Sequence, residues 1–296
     1  MSINVLSGFN SIINKATPRI RRDNRILMTE TINLIVSESG CDYGAYLKND
    51  TTDDGYTIDD LMGICRTYSQ EPYNARFSLY MLHEYATDIP IGCPDVEEAY
   101  VLVWRNYLDR QDATDLYKEQ VALPWDTKYY DWKRNKVLHQ HSRKNLRFGE
   151  EEQKPDYENG KETIIPFRSV TCLQSLRNRI NKTFDRGIYD MNIQSHRFYD
   201  PEYTGIGWHG NDGMCKQIGL CLGVNTTMKF RWWYDWHSFG KTVEIPLQNG
   251  DLYIVSKKAV GADWRKRKIA TLRNSIGSEK FTKVKMPKLN RYDKNI

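Results

Sequence analysis

From residue 164 onward the chain breaks into short runs rich in Ile, Val, Phe and Trp, separated by Gly, Asn and Asp. That texture is the signature of an all-β domain. Strands are expected at 164–170, 192–199, 217–222, 227–233, 242–247 and 251–256, with one helix at 173–184. No internal repeat or low-complexity tract interrupts the pattern.

The preceding half reads as mostly helical. Residues 25–36 are long and apolar enough for a buried helix. Thr57, with Asp60 three residues on, forms a capping-box pattern that opens IDDLMGICRTY. Segments 75–85 and 94–108 follow, the second with a proline in its first turn and Asp95, Glu97 and Glu98 near the positive end of the helix. The stretch SRKNLRFGEEEQKPDYENGKET at 142–163 is poor in apolar residues and reads as a linker. The expected organisation is a helical domain of unknown role at 1–141, a charged linker at 142–163 and a β domain at 164–296.

With 296 residues, 40% hydrophobic and 27% charged, the chain has material for two ordinary cores. No apolar run reaches membrane-spanning length, and the start MSINVLSGFNSIINK lacks signal-peptide features. An intracellular, cytoplasmic protein without a membrane partner is expected. The six cysteines form no CxxC pair and are expected as reduced thiols. The net charge of +5 is unevenly divided: residues 1–163 hold 20 Lys+Arg against 27 Asp+Glu, a net −7, and residues 164–296 hold 23 against 11, a net +12. A basic C-terminal part suits nucleic acid or an acidic partner, and equally suits docking of the two halves on each other.

Aromatic residues such as Tyr129, Tyr130 and Trp132, and an arginine cluster at Arg19, Arg21, Arg22 and Arg25, read first as core and rim and only second as a base-stacking surface. His139 and His141, at i and i+2, would align only on a strand, and no third ligand accompanies them.

Three blocks, FYDPEYTGIGWHGNDGMCKQIGLCLG, IPLQNGDLYIVS and DWRKRKIATLRN, occur in the order and at the spacing of the AlkB-like 2-oxoglutarate/Fe(II) dioxygenases. Residues 164–285 resemble that family, particularly forms found in large DNA viruses. The resemblance leaves the N-terminal half unexplained and implies a double-stranded β-helix (jelly roll) for the second domain, so the fold expected is α+β, the mostly helical N-terminal region followed by that domain. It also implies an iron held by two histidines and one carboxylate, with 2-oxoglutarate as co-substrate.

The ligand positions only partly match. His209 stands at the first ligand, but the carboxylate position is Asn211 and the second histidine, after Thr271-Leu272-Arg273, is Asn274. Counted from the tryptophan instead, the distal position is Lys266. Asp212 and His237 are the remaining substitutes. Where the family holds 2-oxoglutarate with an N-x-Y pair this chain has Arg197-Phe198-Tyr199, so Tyr199 is kept, and Arg291 lies in the region of the late cofactor-binding arginine. Gly207, Gly210, Gly219, Gly223 and the Asn249-Gly250-Asp251 turn suit tight turns or close backbone approach.

A scaffold kept while its ligands are replaced leads to the expectation of a non-catalytic AlkB-like domain, a pseudoenzyme reused for binding or assembly, with a structural part in a large-DNA-virus particle in view. No cofactor is then expected. Arg265, Lys266, Arg267 and Lys268 are the residues expected to meet nucleic acid or a protein partner, beside an ordinary solvated face as the simpler reading. The competing reading is an active dioxygenase using Fe(II) and 2-oxoglutarate on alkylated bases.

Overall fold

The computed structural model describes residues 27–37, 55–184, 192–212 and 214–284. The arginine cluster at 19–25 and Arg291 lie outside them.

Seven consecutive residues, TINLIVS, are buried without a break and form strand β1 (Thr31–Ser37). The helix expected at 25–36 is therefore corrected over 31–36. A continuous apolar run looks alike in a buried helix and in a strand covered on both faces, and its β-branched Ile32, Ile35 and Val36 favour the strand. The capping box does what its spacing predicts. Thr57 Oγ1 accepts from Asp60 N at 3.2 Å, Asp60 Oδ2 accepts from Thr57 N at 2.9 Å, and α1 (Ile58–Tyr68) begins there.

The next two expected helices are corrected as well. Strand β2 (Arg76–Met81) and a short 3-10 turn replace the first, and β3 (Tyr100–Arg105), YVLVWR, replaces the second. Tertiary pairing overrides the acidic start after Pro94, since β3 is hydrogen-bonded on both sides. The first half continues through α2 (Arg110–Val121), the hairpin β4 (Lys128–Asp131) and β5 (Lys136–His139), and β6 (Lys144–Gly149). Strand β6 lies inside the stretch expected to be a linker. Leu146 and Phe148 join the core on one face, but Asn145 and Arg147 alternate with them on the other, so the segment lacks the apolar content by which a covered strand is recognised.

The second half follows its reading more closely: β7 (Ile164–Pro166), α3 (Thr171–Thr183), β8 (Asn192–Phe198), β9 (Gly205–His209), β10 (Gln217–Gly223), β11 (Thr226–Tyr234), β12 (His237–Leu247), β13 (Leu252–Val255), α4 (Lys257–Val260), β14 (Thr271–Gly277) and α5 (Glu279–Thr282).

The result is an α+β protein dominated by antiparallel sheets with few helices. One sheet has eight strands in the order β2-β3-β13-β10-β1-β8-β6-β7, and a second has four, β12-β11-β14-β9. Among the described residues only β6 and β7 run parallel in these sheets. Strand β1 pairs with β10 on one side and β8 on the other, and β3 pairs with β13. Strands from both halves thus share one sheet, and the pairing does not follow the division expected at 142–163.

Alternation along the strands sorts the large sheet into two faces. Ile32, Leu34 and Val36 of β1, with Ile218, Leu220 and Leu222 of β10 and Leu252 and Ile254 of β13, pack with Leu61, Leu116, Leu173, Leu176 and Ile180 of the helices. The opposite face brings Ile35, Phe198, Cys221, Tyr253 and Val255 against Met228, Phe230, Trp232, Ile245, Leu272 and Ile276 of the small sheet. Gly219 sits on this inner face, paired with Tyr253, where an added Cβ would lie 1.9 Å from the ring. The absent side chain makes room for Tyr253, whose hydroxyl is held by Asn33. Gly250 has φ +87 in the turn before β13, as its position between two strands requires.

Candidate functional site between the sheets

Strands β9 and β14 pair so that His209 stands directly opposite Asn274. Asn274 in turn opposes Phe230 of β11, whose side chain belongs to the core between the sheets. Residues opposite one another share a face, so His209 and Asn274 both turn inward. The histidine Nδ1 lies 2.8 Å from Gly207 O, which orients the ring.

Facing them across the gap are residues of β8, of β6 and of the position just before β6 that the sequence did not single out. His196 Nδ1 lies 2.9 Å from Asn145 Oδ1, and Arg143 Nε donates to both, at 3.3 Å and 2.9 Å. Burial pulls the His209 imidazole down to about 4; Arg143 adds repulsion, and hydrogen bonds to the backbones of Gly207 and Asn274 resist it. His196 is also held well below the ordinary range, by burial first and then by the charges of Arg143, His209 and Arg147. The pair is neutral at physiological pH. Nothing in the local sequence announces His196, because its neighbours Ser195 and Arg197 obscure the alternation.

Beside this pair opens a cavity of about 710 Å³, lined by Tyr129, Tyr130 and Trp132 of the β4–β5 hairpin, by His139 and His141, and by Arg143, Asn145, Arg147, Lys161 and Glu162. The two histidines at i and i+2 do come together, with ring centroids 6.1 Å apart. Arg147 is paired with Glu162 at 3.3 Å. Aromatic walls with an excess of cations suit a flat or anionic ligand.

The other expected site residues go elsewhere. Asn211 donates its amide to Gln217 Oε1 at 2.7 Å, and its backbone N to Val260 O. Asp212 accepts from Trp264 Nε1 at 2.8 Å and is ion-paired with Arg265 at 2.7 Å. His237 begins β12 in an exposed hairpin. Tyr199 is exposed, donates to His141 O and lies under Lys144, while Arg197 at the family's asparagine position forms an ion pair with Glu30. Arg265, Lys266, Arg267 and Lys268 form an exposed basic loop.

The donor set does not fit Fe(II). His209 offers one imidazole, the two partner positions are uncharged amides, and the nearby Asp212 carboxylate is already held by a tryptophan and an arginine. Among the described residues no three His, Cys, Asp or Glu side chains gather to hold a metal. No described helix is long and apolar enough to cross a membrane.

No family model matches the chain. An uncharacterized protein of Acanthamoeba polyphaga mimivirus is 32% identical over 230 residues, spanning 77% of this chain and 88% of that protein. The chain belongs to the family of that mimivirus protein. The aligned length exceeds the 133 residues of 164–296, so the likeness reaches well into the first half. The likeness to that protein is therefore not confined to residues 164–296, in keeping with a sheet built from both halves.

Proposed function

We propose that this protein is an AlkB-like double-stranded β-helix that has lost iron-dependent catalysis and is reused for binding or assembly. The observation that carries the proposal is the inward-facing pair of His209 and Asn274, in register on adjacent strands, with Asn211 tied to Gln217. Two positions where the family places iron ligands lie side by side, and one of them is an amide. Strand order supports the β-helix. From β8 to β14 the chain alternates between the large and the small sheet, apart from the β11–β12 hairpin, and β1 fills the central place between β8 and β10. The neighbouring cavity gives the scaffold a place to bind. The mimivirus relative makes a part in a virus particle a fitting setting.

The competing reading, an active 2-oxoglutarate/Fe(II) dioxygenase on alkylated bases, draws support from His196, a second imidazole facing the same gap. Replacing a carboxylate and an imidazole by amides should nonetheless weaken Fe(II) binding well beyond the roughly 10- to 100-fold cost of changing residues behind the ligands. Anaerobic calorimetry with Mn(II) and 2-oxoglutarate decides between them. The expected result is no stoichiometric binding by the natural chain and binding by the Asn211→Asp/Asn274→His variant. Stoichiometric binding by the natural chain that disappears in His209→Ala would overturn the loss of iron, and oxygenase assays on methylated DNA and RNA would then test the dioxygenase reading.

A further inference from the structure

The outer face of the four-stranded sheet carries two arginines in an arrangement that is unfavourable as it stands. Leu272, Asn274 and Ile276 of β14 point to the core, so Arg273 points away from it, and Arg231 of β11 is its direct cross-strand partner. Like charges directly opposite each other on a sheet repel. Neither arginine has a carboxylate partner among the described residues. Arg231 donates to Thr242 Oγ1 and Arg273 to Trp264 O, and both Nε groups are buried without an acceptor. Arg273 is 7% exposed and lies against three indoles, 4.3 Å from Trp233 and 5.1 Å from both Trp236 and Trp264. The indole N–H groups of Trp233 and of its neighbour Trp208 are likewise buried and unbonded. All of these orphaned groups are donors. What is missing is an acceptor, and an anionic one would also relieve the repulsion.

Trp236 adds a second observation. It sits in the β11–β12 turn at φ +69, beside Asp235 at φ +43, and is 47% exposed. A bulky residue in the left-handed region is strained, and glycine would avoid the strain. The turn therefore holds an indole outward, next to the arginine pair, against the local backbone preference. The exposed loop of Arg265, Lys266, Arg267 and Lys268 borders the same place, since Asp235 N donates to Arg267 O and Trp264, just before the loop, lies against Arg273. Arg265 and Arg267 are paired with Asp212 and Asp235, whereas Lys266 and Lys268 have no ion pair among the described residues. The patch thus gathers six cations against two carboxylates.

We infer that this face binds single-stranded nucleic acid, with a backbone phosphate at Arg231 and Arg273, a base stacked on Trp236, and Lys266 and Lys268 on the flanking phosphates. An exposed aromatic ring beside cations that lack a carboxylate partner matches the combination by which such strands are held without sequence preference. An acidic peptide would use the cations and leave the indole idle. The site lies on the opposite face of the small sheet from His209, so it stands apart from the question of iron.

The test is fluorescence anisotropy of a labelled oligothymidylate of about twenty nucleotides with the full chain, between about 50 and 200 mM salt. Trp236→Gly is the decisive variant, because glycine suits the turn and folding is retained or improved. It is expected to keep or raise the melting temperature while weakening binding about 5- to 100-fold. Arg231→Gln should weaken binding as well, and Lys266→Ala/Lys268→Ala should reduce the slope of log affinity against log salt by about 1 to 1.5. The inference is overturned if the natural chain does not bind the oligonucleotide, if Trp236→Gly binds as tightly as the natural chain, or if polyglutamate competes on equal terms.

Discussion

His196 and His209 are kept neutral in the gap between the sheets, and this sets a pH dependence. Both have folded values below the ordinary 6.5, that of His209 at about 4. As pH falls below 6.5 the unfolded chain takes up protons that the folded chain refuses, so stability is lost progressively from there down toward 4. For His209 alone the loss amounts to as much as about 3 kcal/mol, at about 1.4 kcal/mol for each unit. Urea midpoints across that range should fall steeply for the natural chain and less steeply for His209→Gln. A second residue-scale prediction concerns Gly219. Because its Cβ would strike the Tyr253 ring, Gly219→Ala should lower stability by about 2–3 kcal/mol or more, measurable by thermal unfolding. The sequence marks Gly219 as a place of close approach, but only the pairing of β10 with β13 reveals that a side chain is what approaches.

Strand β1 shows what a single element contributes. It is buried throughout and hydrogen-bonded along both edges, to β8 and to β10. Leu34, with no exposed area, packs toward the helices. Leu34→Ala should cost about 2–5 kcal/mol in chemical denaturation, whereas Leu27→Ala, at a residue 83% exposed, should be nearly neutral. The β11–β12 hairpin and strands β8, β10 and β13 were readable because alternation and turn residues agree there. Strands β2, β3, β6, β9 and β14 were not. Helix-like caps and charges precede β3, and β6 turns Asn145 and Arg147 toward the gap between the sheets, so neither shows the pattern its pairing imposes.

At the scale of the whole molecule the two halves are tied by more than sheet pairing. Asp251, 1% exposed, accepts from Arg105 Nη1 at 2.7 Å and from the backbone of Asn106 and Gln248. Removing one member of such a buried pair leaves an uncompensated charge, and Arg105→Ala should destabilise the whole protein by about 3 kcal/mol. A fragment of residues 164–296 lacks β1, β2, β3 and β6, leaving β8 with no strand beside it and β10 paired on one edge alone, with β13. It should fail to give a cooperative unfolding transition, while the full chain unfolds with both halves together, as checked by calorimetry. An independently folding fragment would restore the two-domain organisation expected from the sequence.

The sequence by itself determined the strand-rich second half and the capped start of α1, and it supplied the resemblance in which His209, Asn211 and Asn274 stand at the proposed ligand positions. These rest on local chemistry: turn residues, alternation, a capping side chain and spacing within one segment. Tertiary structure alone decided that β1 is a central strand, that His196 and Arg143 face His209, and that Arg231 and Arg273 stand opposed among tryptophans. Each of those facts is a meeting of residues far apart in the chain, fixed by strand register across the two sheets, and register between distant segments leaves no mark in either segment alone.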